Sequence, residues 1–196
     1  MLNITTGTFN QIRSESAIED VMRRDKRLNM LGVNYRSSPI VLDEFAQPEH
    51  VSAYGTLDEG MLVAGDRAPD APTLGLVLAQ ATSAMETETR LFDVFCPVYH
   101  TALAFALDAA SSTDVLEMLR SYPGDVIRPV IVLPQGSAVT TGGQADVLVD
   151  RGGHAYRAYL AGKEAKRVVV VRPDGVVGAI AHGAEGVRQY FSKIFI

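Results

Sequence analysis

Apolar positions along this chain follow a helical period first and a strand period later. Leu2, Thr5, Phe9 and Ile12 recur at helical spacing. Ser16-Ala17-Ile18-Glu19 is a Ser-x-x-Glu box, in which each side chain satisfies a free backbone N–H, so a second helix is expected from Ser16. Ile18, Val21 and Met22 share its inner face. The mixed run Arg23, Arg24, Asp25, Lys26, Arg27 reads as its solvated side, and Gly32 as its C-terminal stop. From 33 to 64 the pattern is irregular, broken by Pro39, Pro48, Gly55 and Gly60, with Ile40-Val41-Leu42 as a short strand. Gly65-Asp66-Arg67-Ala68-Pro69-Asp70-Ala71-Pro72 is a rigid polar turn, because each proline fixes its own φ and restricts its predecessor.

Beyond that turn, strand-length apolar runs alternate with short helical stretches. Strands are expected at 101–107, 130–133 and 147–149, and at the four valines 168–171. Thr113 or Asp114 caps a helix carrying Val115, Leu116 and Leu119. Asp150-Arg151-Gly152-Gly153 turns the chain into a helical stretch at 154–159. Pro173-Asp174-Gly175 makes a hairpin into a strand at 176–180, with Gly175 taking the positive φ. An amphipathic helix at 184–195 places Val187, Tyr190, Phe191 and Ile194 inward. Such alternation describes an α/β sandwich. The polar turn divides the chain into a helical lead-in and linker, 1–64, and a main domain, 65–196.

The chain has 196 residues, 47% hydrophobic and 21% charged, which is enough for one core of ordinary composition. A net charge of −5, with the run at 23–27 read as a solvated helix side, argues against nucleic acid and against an anionic membrane surface. No basic-then-apolar leader and no run of about 20 apolar residues is present, so a cytoplasmic protein is expected. A lone Cys96 excludes a Cys-x-x-Cys pair.

Five motifs in fixed order carry a resemblance. They are the 65–72 turn, Arg90-Leu91-Phe92-Asp93, His100-Thr101-Ala102-Leu103-Ala104-Phe105, Val149-Asp150-Arg151-Gly152-Gly153-His154-Ala155-Tyr156, and Val171-Arg172-Pro173-Asp174-Gly175-Val176-Val177-Gly178. The series resembles the C-terminal thioredoxin-like domain of FAD-dependent aromatic hydroxylases of the phenol 2-monooxygenase type. The stretch from Leu28 to Val41 is similar to fungal members of that family. The resemblance implies a thioredoxin-like sandwich, a central mixed sheet flanked by helices with an N-terminal helical extension, lacking redox cysteines and serving dimerisation.

The family's GxGxxG run for the FAD pyrophosphate does not occur. Gly65-Asp66 matches its second flavin signature only superficially, because Arg67-Ala68-Pro69 replaces the expected continuation. No cofactor is therefore expected. The function implied is a non-flavin dimerisation or interaction module associated with aromatic-compound oxidation, its partner a second copy or a separate flavoprotein. The alternative is a cofactor-independent acid–base enzyme, an isomerase, cyclase or hydrolase acting on an aromatic or polyketide-like metabolite. A small aromatic ligand would then lie between the opening helices and the sheet.

Candidate chemistry is sparse. His50, His100, His154 and His182 show no metal-ligand spacing. Acid–base work would fall to His100 or His154, assisted by Asp150 or Tyr156, since a carboxylate can orient an imidazole that titrates near neutrality. The competing reading makes Asp150 a helix cap and His154 a surface residue. Cys96 reads as a buried, inert thiol rather than a nucleophile beside His100. Thr140-Thr141-Gly142-Gly143 reads as a loop rather than a phosphate cradle, and Arg172 as the partner of Asp174.

Overall fold

Residues 33–45, 61–78, 86–139, 143–162 and 166–195 are described by a computed structural model. The chain divides into two units, 1–33 with 54–56, and 34–53 with 57–196. Apart from Val33, the described residues belong to the second. The two helices expected before Gly32, and most of the loop at 140–143, lie outside the described residues.

Eight strands form one mixed sheet among the described residues. They are β1 (Leu42–Asp43), β2 (Leu74–Val77), β3 (Thr87–Thr89), β4 (His100–Phe105), β5 (Ile127–Pro134), β6 (Asp146–Asp150), β7 (Arg167–Val171) and β8 (Val177–Ala181). Their order is β1-β8-β7-β4-β5-β6-β2-β3. β4, β5 and β6 run parallel, with His100 opposite Ile127 and Pro134 opposite Asp150. β7 pairs antiparallel with both β4 and β8, while β2 pairs antiparallel with β6 and β3. β1 pairs parallel with β8 and begins at Leu42, the last residue of the short strand expected at 40–42.

Among the described residues four α-helices cover the two faces: α1 (Leu91–Val94), α2 (Thr113–Leu119), α3 (His154–Ala158) and α4 (Ala184–Phe191). Leu103 and Phe105 of β4, with Val169 and Val171 of β7, pack with Leu91 and Val94 of α1 and Ala155 of α3. Ala102 of β4 and Val168 and Val170 of β7 pack on the other face with Val115 of α2 and Val187, Tyr190 and Phe191 of α4. Neighbouring residues of a strand point to opposite faces. A strand covered on both faces is therefore apolar without interruption, and that is why the valine run could be read as a strand.

Three elements escape sequence patterning. β3 is a short polar edge, and Gly75 interrupts β2. α1 spans a single turn and has no side-chain cap at Arg90. It is fixed instead by Asp70, whose carboxylate accepts the Phe92 N–H at 3.0 Å and pairs with Arg90. Burial would raise the Asp70 pKa, but the Arg90 guanidinium and the Phe92 N–H outweigh it and hold the carboxyl below its ordinary value. The cap expected at Thr113 or Asp114 lies upstream. A 3-10 turn, Ala109–Ser112, precedes α2, and Asp108 Oδ1 accepts the Ser111 N–H at 2.8 Å. The last helix ends at Phe191, four residues earlier than its pattern suggests.

Candidate functional site

The carboxyl ends of β4, β5 and β6 form the edge where ligands commonly bind in open α/β sheets. Asp150, the last residue of β6, is 2% exposed. Its Oδ1 accepts the backbone N–H of His154 at 3.0 Å and its Oδ2 that of Tyr156 at 2.9 Å. Both oxygens thus satisfy amides at the start of α3, which have no partner inside the helix. The glycine pair beneath them has two distinct roles. Gly153, at φ +66°, turns the chain into α3, and a side chain at Gly152 would strike the His154 ring.

Tyr156 belongs to the same group. Its hydroxyl donates to the Ala106 carbonyl at 2.7 Å, with the Val132 carbonyl 3.0 Å away. Its ring meets Phe105 edge-on at 5.3 Å. Burial pushes the phenol up to about 12, so at neutral pH it is a protonated donor. Asp150, His154 and Tyr156 are therefore together, but the Asp150 oxygens hold the His154 backbone and not its imidazole. The arrangement is a cap and a clasp across the ends of β4 and β5.

His100 stands apart from them. It begins β4 at the opposite end of the sheet, seven register positions from Asp150, or about 23 Å at about 3.3 Å per residue. Its ring faces α4, edge-on to Tyr190, Phe191 and Phe195 at 6.1, 5.5 and 6.0 Å. Burial holds its pKa below the ordinary histidine value, and the Arg172 charge adds to that against the opposing effects of Val126 and Asp174. The imidazole is a partly buried, neutral ring at neutral pH.

A thioredoxin-type dithiol needs two cysteines at the start of a helix following a central strand. Here β4 leads into Asp108, Ala109, Ala110, Ser111, Ser112 and Thr113, with no thiol. Cys96 follows α1 instead, and it is partly exposed rather than buried, because the turn carrying it lies at the rim of the sheet. Asp66 is held by Arg36 through contacts of 2.7 and 3.0 Å. Arg172 pairs with Asp174 at 2.6 Å, as its spacing suggested. Among the described residues no three His, Cys, Asp or Glu side chains converge as metal ligands. No described helix is long and apolar enough to cross a membrane.

Sequence reading missed Arg128, the node of the amino edge. Its guanidinium binds Asp146 at 2.8 and 2.6 Å, the Val94 carbonyl at 3.1 Å and the Tyr99 hydroxyl at 3.1 Å. Burial alone would lower its pKa, but Asp146 and Tyr99 raise it, and the group stays charged. Its only sequence signal is an arginine inside an otherwise apolar strand.

No protein-family model and no curated protein matches the chain. Solved structures do match. Prx1a of Plasmodium yoelii aligns at 14% identity over 65% of this chain and 87% of its own, with a TM-score of 0.50. The thioredoxin domain of a thiol-disulfide oxidoreductase from Bacteroides vulgatus aligns at 11% identity over 69% of this chain and 100% of its own, with a TM-score of 0.46. The flavin-dependent monooxygenase PieE, solved with FAD and substrate, aligns at 16% identity over 83% of this chain and 25% of its own, with a TM-score of 0.49. Identities this low speak to fold alone, and the fold is thioredoxin-like.

Proposed function

We propose that this protein is a thioredoxin-like domain without redox chemistry that acts by association, in the manner of the C-terminal domain of FAD-dependent aromatic hydroxylases. Its partner would be a second copy of the chain or a separate flavoprotein of aromatic-compound oxidation. One observation carries the reading: at the edge where such a fold would hold its reactive groups, Asp150 and Tyr156 are engaged with backbone atoms and the start of α2 has no thiol. The five ordered motifs support the choice of partner class.

Light scattering on the purified full chain tests it. The expected mass is twice 21.1 kDa, or that of a complex with a co-purifying flavin-coloured protein. A monomer at every concentration, with no coloured partner, overturns the reading. Dithiol-dependent reduction of insulin, expected to be absent, would overturn it equally if found.

A further inference from the structure

At the amino edge of the sheet, on the rim away from Asp150, the 65–72 turn, α1 and the β7–β8 hairpin line an open cleft of about 330 Å³. That is the lower end of the range for small-molecule sites, enough for one ring with a substituent. Its apolar wall carries Phe92 and Phe95, tilted at 48° with centroids 6.2 Å apart, and Pro97 and Pro173 stiffen the rim. Two prolines and a hairpin turn give the opening little freedom to collapse.

The polar lining is unbalanced. Asp174 is engaged by Arg172 and by the Val176 N–H at 3.2 Å. Arg67 is held through its backbone, which bridges to Val176, while its guanidinium meets no carboxylate among the described residues. The Arg90 guanidinium, 5.6 Å from the Phe92 centroid, is already paired with Asp70, which leaves Arg67 as the cation open to a ligand. Phenyl rings beside an unpaired guanidinium suit a ligand that is flat and apolar on one side and anionic on the other. A planar guanidinium binds a carboxylate through two parallel hydrogen bonds.

We propose that this cleft, formed by Arg67, Phe92 and Phe95, binds a monocyclic aromatic carboxylate. Arg67 holds the carboxylate, and the two phenyl rings hold the aromatic face. The site is independent of the association proposed above, and either reading stands if the other fails.

Cys96 lines the same cleft and is the one thiol of the chain, so its alkylation by iodoacetamide reports occupancy directly. On the full-length protein, benzoate is expected to slow that reaction saturably, with millimolar affinity, whereas acetate and benzamide leave it unchanged. Arg67→Gln should weaken benzoate about tenfold, the ratio for losing one charge-assisted hydrogen bond. Because Arg67 is exposed, its thermal midpoint should be that of the parent. Phe92→Leu, also at an exposed position, keeps the apolar volume and should weaken benzoate in the same direction. The proposal is overturned if benzoate gives no saturable protection, if Arg67→Gln is protected as well as the parent, or if acetate protects as well as benzoate.

Discussion

Asp150 shows how one residue type at one spacing suits two kinds of work. A carboxylate four positions before a histidine, after a buried strand, suits either a catalytic pair or a helix cap. Backbone direction decides between them, and here both oxygens face amides. Removing them leaves two partly buried donors without partners, so Asp150→Ala should cost about 2 kcal/mol in urea unfolding, and Asp150→Asn, which keeps one acceptor, about half as much. Tyr156→Phe should cost about 1 kcal/mol by the same measurement, since only the donor to Ala106 is lost. His100 gives a pH signature. Its folded pKa lies below the unfolded value of about 6.5, so below that pH the unfolded chain binds the extra proton and stability falls as acid is added. Above about 6.5 its contribution is constant. His100→Phe should therefore show a shallower loss of urea midpoint between pH 7.5 and 5 than the parent.

Elements were legible wherever their own side chains made the pattern. β4, β5, β6 and β7 read as apolar runs because both of their faces are covered, and α4 read as amphipathic because one face packs and the other is wet. α1 and β3 were illegible because their causes lie elsewhere, in Asp70 for the helix and in pairing with β2 for the strand. The β8–α4 contact shows the same dependence. Register shifts between Val170 and Val171, so Val171 pairs with Val177 and Gly178 is passed over. At Gly178 the Tyr190 hydroxyl occupies the space a Cβ would need. That hydroxyl is buried without a partner, and burial raises its pKa far above the ordinary phenol value. Gly178→Ala should destabilise by about 2 kcal/mol through overpacking. Tyr190→Phe should be neutral or slightly stabilising, since no hydrogen bond is lost. The double variant should recover most of the Gly178→Ala loss, a coupling that a urea double-mutant cycle would measure.

For the molecule as a whole, strand order sets where stability lies. β4 is flanked by β5 and β7 and covered on both faces, while β1 and β3 end the sheet. Amides of β4, β5 and β7 should exchange slowest with solvent deuterium and those of β3 fastest, following the gradient from central to edge strands. Apolar spacing, prolines and turn glycines were enough to imply an α/β sandwich, its central strands and the Arg172–Asp174 hairpin. These are local properties, set by backbone preference and by the solvent each side chain must meet. Which polar groups meet was decided only by the tertiary structure. His100 and Asp150 lie at opposite ends of the sheet, Asp70 accepts the amide of Phe92 in a helix 22 residues downstream, and Arg67 lines a cleft built from three separate segments. Charge and hydrogen-bond chemistry depend on distances in space, and the order of strands in the sheet fixes those distances.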